Sequence, residues 1–333
     1  MNSIDVIPEI HRDTARSALA DTFGAGRETL VQPVTGGASG ALTYRIDVSE
    51  KPYLMRLETR RSPLRNPHQY ACMKIAADAG IAPPLLYAND AKGIAILGFV
   101  PHRPLHDYPG GALGLAGALG KLAAQLQQTP LFPELGDYRV FLHRMLEFLR
   151  RAFAPGSLSR HVEIFERIRT AYPWDATRHV SGHNDPNPGN ILFDGERLWL
   201  IDWETSYRND PMTDIAMLTE NFAKTPVLED ALLLSWLGHP PDQFVQARLT
   251  LMRKLTRLYY AGLLLATSVT PGGEPITDLS APTPAEFQML LSTGQLKMGT
   301  VETKKVIGKM LLAGFLDGTQ TESFERALDT VRA

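Results

Sequence analysis

The chain has one cysteine, Cys72, in 333 residues, so no disulfide can form within it. Stability must come from a packed core, and a composition 44% hydrophobic and 21% charged is that of an ordinary globular protein. Charge of one sign is missing as well. With 34 Lys and Arg against 36 Asp and Glu, the net charge of −2 offers no basic field for a nucleic-acid backbone. No apolar run reaches the ~20 residues of a membrane span, and the longest, Leu258 to Val269, falls well short. The opening residues, MNSIDVIPEIHRDT, carry neither a basic segment nor an apolar one, so no secretory signal is expected and a cytoplasmic protein is. Repeats and low-complexity tracts are absent too.

What the chain does have is a dense motif from His179 to Asp214, HVSGHNDPNPGNILFDGERLWLIDWETSYRNDPMTD. Within it His183, Asp185 and Asn190 stand as H-x-D-x-x-x-x-N, and Leu198 to Trp203 reads as a strand that runs into a loop at Asp202. A hairpin here would bring Asp185, Asn190 and Asp202 to one end, where a carboxylate can face a hydroxyl while hard oxygens hold Mg²⁺. Aspartate, asparagine, proline and glycine also make plain turns. Plain turns, however, do not require the joint pattern of His183, Asp185, Asn190, flanking apolar strands and Asp202-Trp203-Glu204.

The runs H-N-D-x-x-x-G-N-I-L, I-D-W-E and N-D-P-x-x-D-I-A resemble the catalytic core of the aminoglycoside phosphotransferase and choline kinase superfamily, bacterial choline/ethanolamine kinases above all. Protein kinases would show H-R-D and D-F-G instead. The resemblance implies an α+β, two-lobed, protein-kinase-like fold. Residues 1–100 would form a small lobe with an antiparallel sheet, and residues 101–333 a larger, mostly helical one. It also implies ATP and Mg²⁺, with Asp185 as base and Asn190 and Asp202 as metal ligands. His183 would support the loop by hydrogen bonds. Asp214 would brace it, or merely interact with its own helix dipole.

Ahead of the motif, residues 4 to 23 have helical spacing, and Leu30 to Val34, Leu42 to Val48 and Pro52 to Leu57 read as strands. Gly36, Gly37, Ser39 and Gly40 lie in the turn between the first two, either an ordinary hairpin turn or a cradle whose N–H groups approach phosphates. Arg56 in the third strand occupies the place of the kinase lysine, and a guanidinium can grip phosphate oxygens in a bidentate manner. Its bland alternative is a solvent-facing cation beside Glu58, two residues on along the same face. The helix from Asn66 to Ala79 would present Gln69 where the family has glutamate. Leu85 to Tyr87 and Ile94 to Val100 read as strands, and the resemblance places adenine against the backbone from Leu97 to Phe99. Helical patterns then follow over Gly111 to Gln128, Arg139 to Ala154, Leu158 to Ala171, Asp210 to Phe222, Leu228 to Leu237 and Asp242 to Thr267, with two or three more after Ala285.

Glu204, Asp210 and Glu220 add negative charge near the motif, and Trp203, Tyr207, Phe222, Trp236, Tyr259 and Tyr260 offer aromatic faces. Taken singly, each aromatic is explained by core packing. Together they suit a cationic small-molecule acceptor, choline or a related amino alcohol, touching Asp185, Trp203 and Glu204. An aminoglycoside or another hydroxylated metabolite is the alternative acceptor. Gln69 raises a reading of another class, an inactive kinase-like nucleotide-binding protein.

Overall fold

A computed structural model describes residues 4–34, 41–59, 65–269 and 273–332. Its strands are β1 (Thr29–Pro33), β2 (Ala41–Val48), β3 (Lys51–Glu58), β4 (Leu85–Asn89), β5 (Ile94–Gly98), β6 (Val180–Gly182), β7 (Ile191–Phe193), β8 (Leu198–Leu200) and β9 (Tyr207–Asn209). Its helices are α1 (Glu9–Phe23), α2 (Gln69–Asp78), α3 (Gly111–Gln127), α4 (Tyr138–Ala152), α5 (Ser159–Ala171), α6 (Met212–Phe222), α7 (Pro226–Leu237), α8 (Gln243–Ala266), α9 (Pro284–Ser292), α10 (Val301–Leu316) and α11 (Glu322–Arg332). The class is α+β, as expected. Gly36, Gly37, Ser39 and Gly40 lie outside the described residues.

Contacts group the chain into two compact, discontinuous units. The first holds residues 1–135, 180–208 and 221–238; the second holds 136–179, 209–220 and 239–333. Residue 100, the expected boundary, falls inside the first. The reason is that the catalytic motif and α7 return to pack with the N-terminal part of the chain, a long-range arrangement invisible to local composition.

In the first unit β1 to β5 form an antiparallel sheet in the order β1-β2-β3-β5-β4. Ser49 and Glu50, both at positive φ, close the two-residue hairpin between β2 and β3. Alternation sends Ile46, Met55, Leu57, Ile94 and Ile96 into a core that α1 covers with Ala15, Ala18 and Leu19. Arg56, between Met55 and Leu57, therefore points to the opposite face. Elsewhere in this unit α3 packs so closely on α7 that a Cβ at Gly120 would overlap the Leu232 carbonyl.

The second unit is helical. Its spine is α8, capped at Asp242 and burying Leu251, Leu255 and Leu258 along one stripe. A Cβ on Gly262 would overlap Met145, so glycine sets the approach of α4 to α8. Asp210 caps α6 by accepting from the Met212 N–H at 2.8 Å.

Candidate active site

The motif folds as a hairpin because Asp194 accepts from the N–H groups of Glu196 and Arg197, both at 2.8 Å, and turns β7 back onto β8. Register pairs Ile191 with Leu200, and the Ile201 N–H donates to the Asn190 carbonyl at 3.0 Å. Asn190 and Asp202 consequently emerge at the same end. The Asn190 side-chain N–H₂ donates to the Asp185 carbonyl at 2.9 Å and to its carboxylate at 3.2 Å. Asp185, Asn190 and Asp202, 17 positions apart from first to last in the sequence, are thus brought together within the first unit.

His183 is fully buried, and its Nε2 lies 2.8 Å from the Ile201 carbonyl. A carbonyl only accepts, so Nε2 carries the proton. Burial outweighs backbone hydrogen bonds and pulls the imidazole down to about 4, leaving it neutral at pH 7. Its ring links the Asp185 loop to the turn into Asp202.

Two residues here hold left-handed backbone, Asn184 at φ 60° and Asp202 at φ 66°. Both are types that tolerate it. The Asn184 amide shares its donors among the carbonyls of Gly182, Thr205 and Tyr207. Its part was not legible in the sequence, where H-N-D singles out the outer two residues. Asn66 was missed as well; its amide donates to the Ser206 carbonyl at 2.6 Å and ties the entry of α2 to the segment after Asp202.

Arg56 is only 7% exposed, so it is not the solvent-facing strand cation. Its Nη2 donates to Asp202 at 3.2 Å and to Glu204. Nη1 is buried without a partner among the described residues. An orphaned guanidinium donor beside the loop fits a phosphate oxygen. Burial raises the Glu204 carboxyl, Asp202 and Glu58 raise it further, and Arg56 opposes them. Gln69 does not reach Arg56 in these contacts; its amide N–H₂ donates to Glu58. Glu58 also takes both forks of Arg65, at 2.6 and 3.0 Å, and the Tyr70 hydroxyl at 2.8 Å. Burial pushes the Glu58 carboxyl up, yet Arg65 and Tyr70 bring it below the usual range. The carboxylates that pair with Arg56 come from the segment after β8, Asp202 and Glu204, and not from the helix.

The donor set suits Mg²⁺, which takes one or two protein oxygens and completes its shell with phosphates and water. Asp202 offers a carboxylate. Asn190 has its N–H₂ turned to Asp185, which leaves its amide oxygen as the ligating atom.

The other expected site residues are placed as follows. Leu97 is inside the sheet ladder, opposite Leu54 and Leu85, whereas Phe99 lies just past the end of β5 with Arg45 over its ring. Trp203 is 1% exposed, packed edge-on against Phe132 and tilted against His183. This corrects its expected role at the acceptor: it is core, buried because the loop needs a floor. Asp214 is buried in the first turn of α6, in the second unit. The three carboxylates expected to attract a cation are all ion-paired, Glu204 with Arg56, Asp210 with Arg248, and Glu220 with Arg257.

The chain is similar to several known proteins. Protein LicA of Haemophilus influenzae is 45% identical over 51 residues, 15% of this chain and 19% of that protein. The chain spans 14–19% of the curated relatives it matches. Among solved structures, a choline/ethanolamine kinase family protein from Mesorhizobium loti superposes with a TM-score of 0.69 at 19% identity, over 96% of this chain and 98% of that one. A spectinomycin phosphotransferase superposes with 0.54 at 14% identity, over 89% and 98%. At such identities the structures show a shared kinase-like fold. A family description covers residues 30–245, which include β2 to β9, β1 from Leu30 on and the whole catalytic motif, and on that match this chain belongs to the phosphotransferase enzyme family.

Proposed function

We propose that the chain transfers the γ-phosphoryl group of Mg·ATP to a hydroxyl of a small amino alcohol of the choline or ethanolamine class. The observation that carries the transfer is the convergence of Asp185, Asn190 and Asp202 at one end of the β7–β8 hairpin. Asp185 orients the acceptor hydroxyl and takes its proton. Asn190 and Asp202 would hold Mg²⁺, which when bound neutralises charge on the phosphates. Arg56 has a spare Nη1 donor that would hold a phosphate oxygen, and positioning does most of the work. A need for ATP fits a cytoplasmic protein; no helix among the described residues is long and apolar enough to cross a membrane.

The amino-alcohol acceptor is supported by likeness to proteins named as choline or ethanolamine kinases, and less by charge than the sequence suggested. With Glu204, Asp210 and Glu220 paired, the preference for a cation rests on aromatic contact. One exposed cation–π contact of about 0.5–1 kcal/mol corresponds to only a two- to fivefold preference. The test is Mg²⁺-dependent ADP release with choline, ethanolamine, neutral alcohols of similar size and an aminoglycoside. Turnover of the amino alcohols above the others supports the reading. Turnover of the aminoglycoside alone overturns the acceptor, and nucleotide binding with no turnover of any acceptor overturns the transfer.

A further inference from the structure

The second unit carries a cavity of about 250 Å³ that none of the residues above explains. It is just smaller than the ~300–1,000 Å³ of drug-sized sites, so its ligand must be compact. Arg253, Lys254 and Arg257 of α8 line it, against two carboxylates, Glu220 of α6 and Asp317 beyond α10. Glu220 is already taken: both its oxygens accept from the Arg257 fork, at 2.7 and 2.8 Å, and the Arg253 Nε lies 3.7 Å from one of them. The balance of formal charge left facing the cavity is positive.

Lys254 is 8% exposed, and its ammonium donates to the carbonyls of Gly314 and Asp317. An ammonium has three donors, so one remains without a partner among the described residues, on a buried group that lines the cavity. Arg253 donates from Nε to the Thr219 hydroxyl at 3.1 Å, which sets its guanidinium at the wall. Thr321, just ahead of α11, and Ser323, in its first turn, also line the cavity at the positive end of an 11-residue helix, although the Thr321 hydroxyl already donates to the Gly318 carbonyl and accepts from the Phe324 N–H. The acidic residues of that turn, Glu322 and Glu325, pair with Arg326 and Arg167.

We propose that this cavity binds a compact small-molecule oxyanion, a carboxylate or a phosphate monoester, gripped by Lys254 and Arg253 and seated on the start of α11. The proposal stands apart from the choice of acceptor. Burial, then repulsion from Arg257, lowers the Lys254 ammonium to about 8, with Arg253 adding to the repulsion and Asp317 and Glu220 opposing it. An oxyanion favours the charged form and moves that value back up, so binding near pH 8 takes up a proton.

The experiment is calorimetric titration of the full-length protein with inorganic phosphate and, separately, with malonate, against sodium chloride at matched ionic strength. Saturable binding of one or both is expected, tenfold weaker in Arg253→Gln and retained in Arg253→Lys. Phosphate alone identifies a phosphate site and malonate alone a carboxylate site. The binding enthalpy near pH 8 should vary with the ionisation heat of the buffer, a readout of proton uptake that needs no variant. Three results overturn the proposal: no saturable binding at millimolar concentrations, binding unchanged in Arg253→Gln, or enthalpy independent of the buffer. Phosphate binding that survives Arg253→Gln but disappears in Arg56→Lys would assign the ion to the catalytic motif and overturn it too.

Discussion

His183 links protonation, stability and the catalytic loop in one measurable way. Its imidazole titrates near 4 in the folded protein, against 6.5 when free. Because the folded value is depressed, the stability it contributes is complete above about pH 6.5 and is lost as pH falls toward 4. At about pH 5 the unfolded chain gains roughly thirtyfold in its protonated population and the folded chain almost nothing, which amounts to about 2 kcal/mol lost relative to pH 7.5. Carboxylates titrating over the same range add to the total, so the comparison needs a variant. In His183→Gln the amide N–H₂ can still donate to the Ile201 carbonyl but cannot titrate. Urea denaturation at the two pH values should show the variant losing about 2 kcal/mol less than the wild type. Parallel losses in the two proteins would refute a buried, neutral His183 under the loop.

Asp185→Ala should lower turnover by roughly 10²- to 10⁴-fold while leaving the nucleotide dissociation constant nearly unchanged, since the proposed base faces the acceptor; full turnover by steady-state assay removes the assignment. Arg56→Lys should raise the Michaelis constant for ATP, because an ammonium cannot bridge Asp202 and Glu204 and still present a fork to phosphate. Arg56→Ala should also cost about 1–3 kcal/mol, the lower end of a buried-pair loss discounted for the half-exposed Glu204, and a melt identical to wild type would return Arg56 to a surface role. Asp210→Ala leaves Arg248 buried and uncompensated, so unfolding should shift by about 3–5 kcal/mol, and the double variant with Arg248→Met should recover part of it.

The strands around Arg56, the helices from Gly111 onward and the β7–β8 hairpin were legible because each rests on local rules. Alternation over two residues marked β2 and β3, and spacing of three and four marked α6 and α8. The resemblance of H-N-D-x-x-x-G-N-I-L and I-D-W-E to phosphotransferases carried over the family and the fold. Gln69 shows where local reading stopped. As a substitution in a motif it suggested a lost ion pair, yet Arg56 pairs with Asp202 and Glu204, which only the folded chain brings to it, while Gln69 donates to Glu58.

By itself the sequence determined the order of elements and the residue types at the hairpin end, since periodicity, turn chemistry and motif spacing are properties of neighbours along the chain. Tertiary structure alone decided which charges are spent on one another. Glu204, Asp210 and Glu220 read as free negative charge until Arg56, Arg248 and Arg257, each at least 37 residues away in sequence, fold against them. It likewise turned Trp203 from a candidate ligand face into core and gathered Arg253, Lys254 and Arg257 around a cavity. The physical reason is the same in each case: Coulomb attraction and burial act through space, over a few ångströms, and those distances are set by the fold.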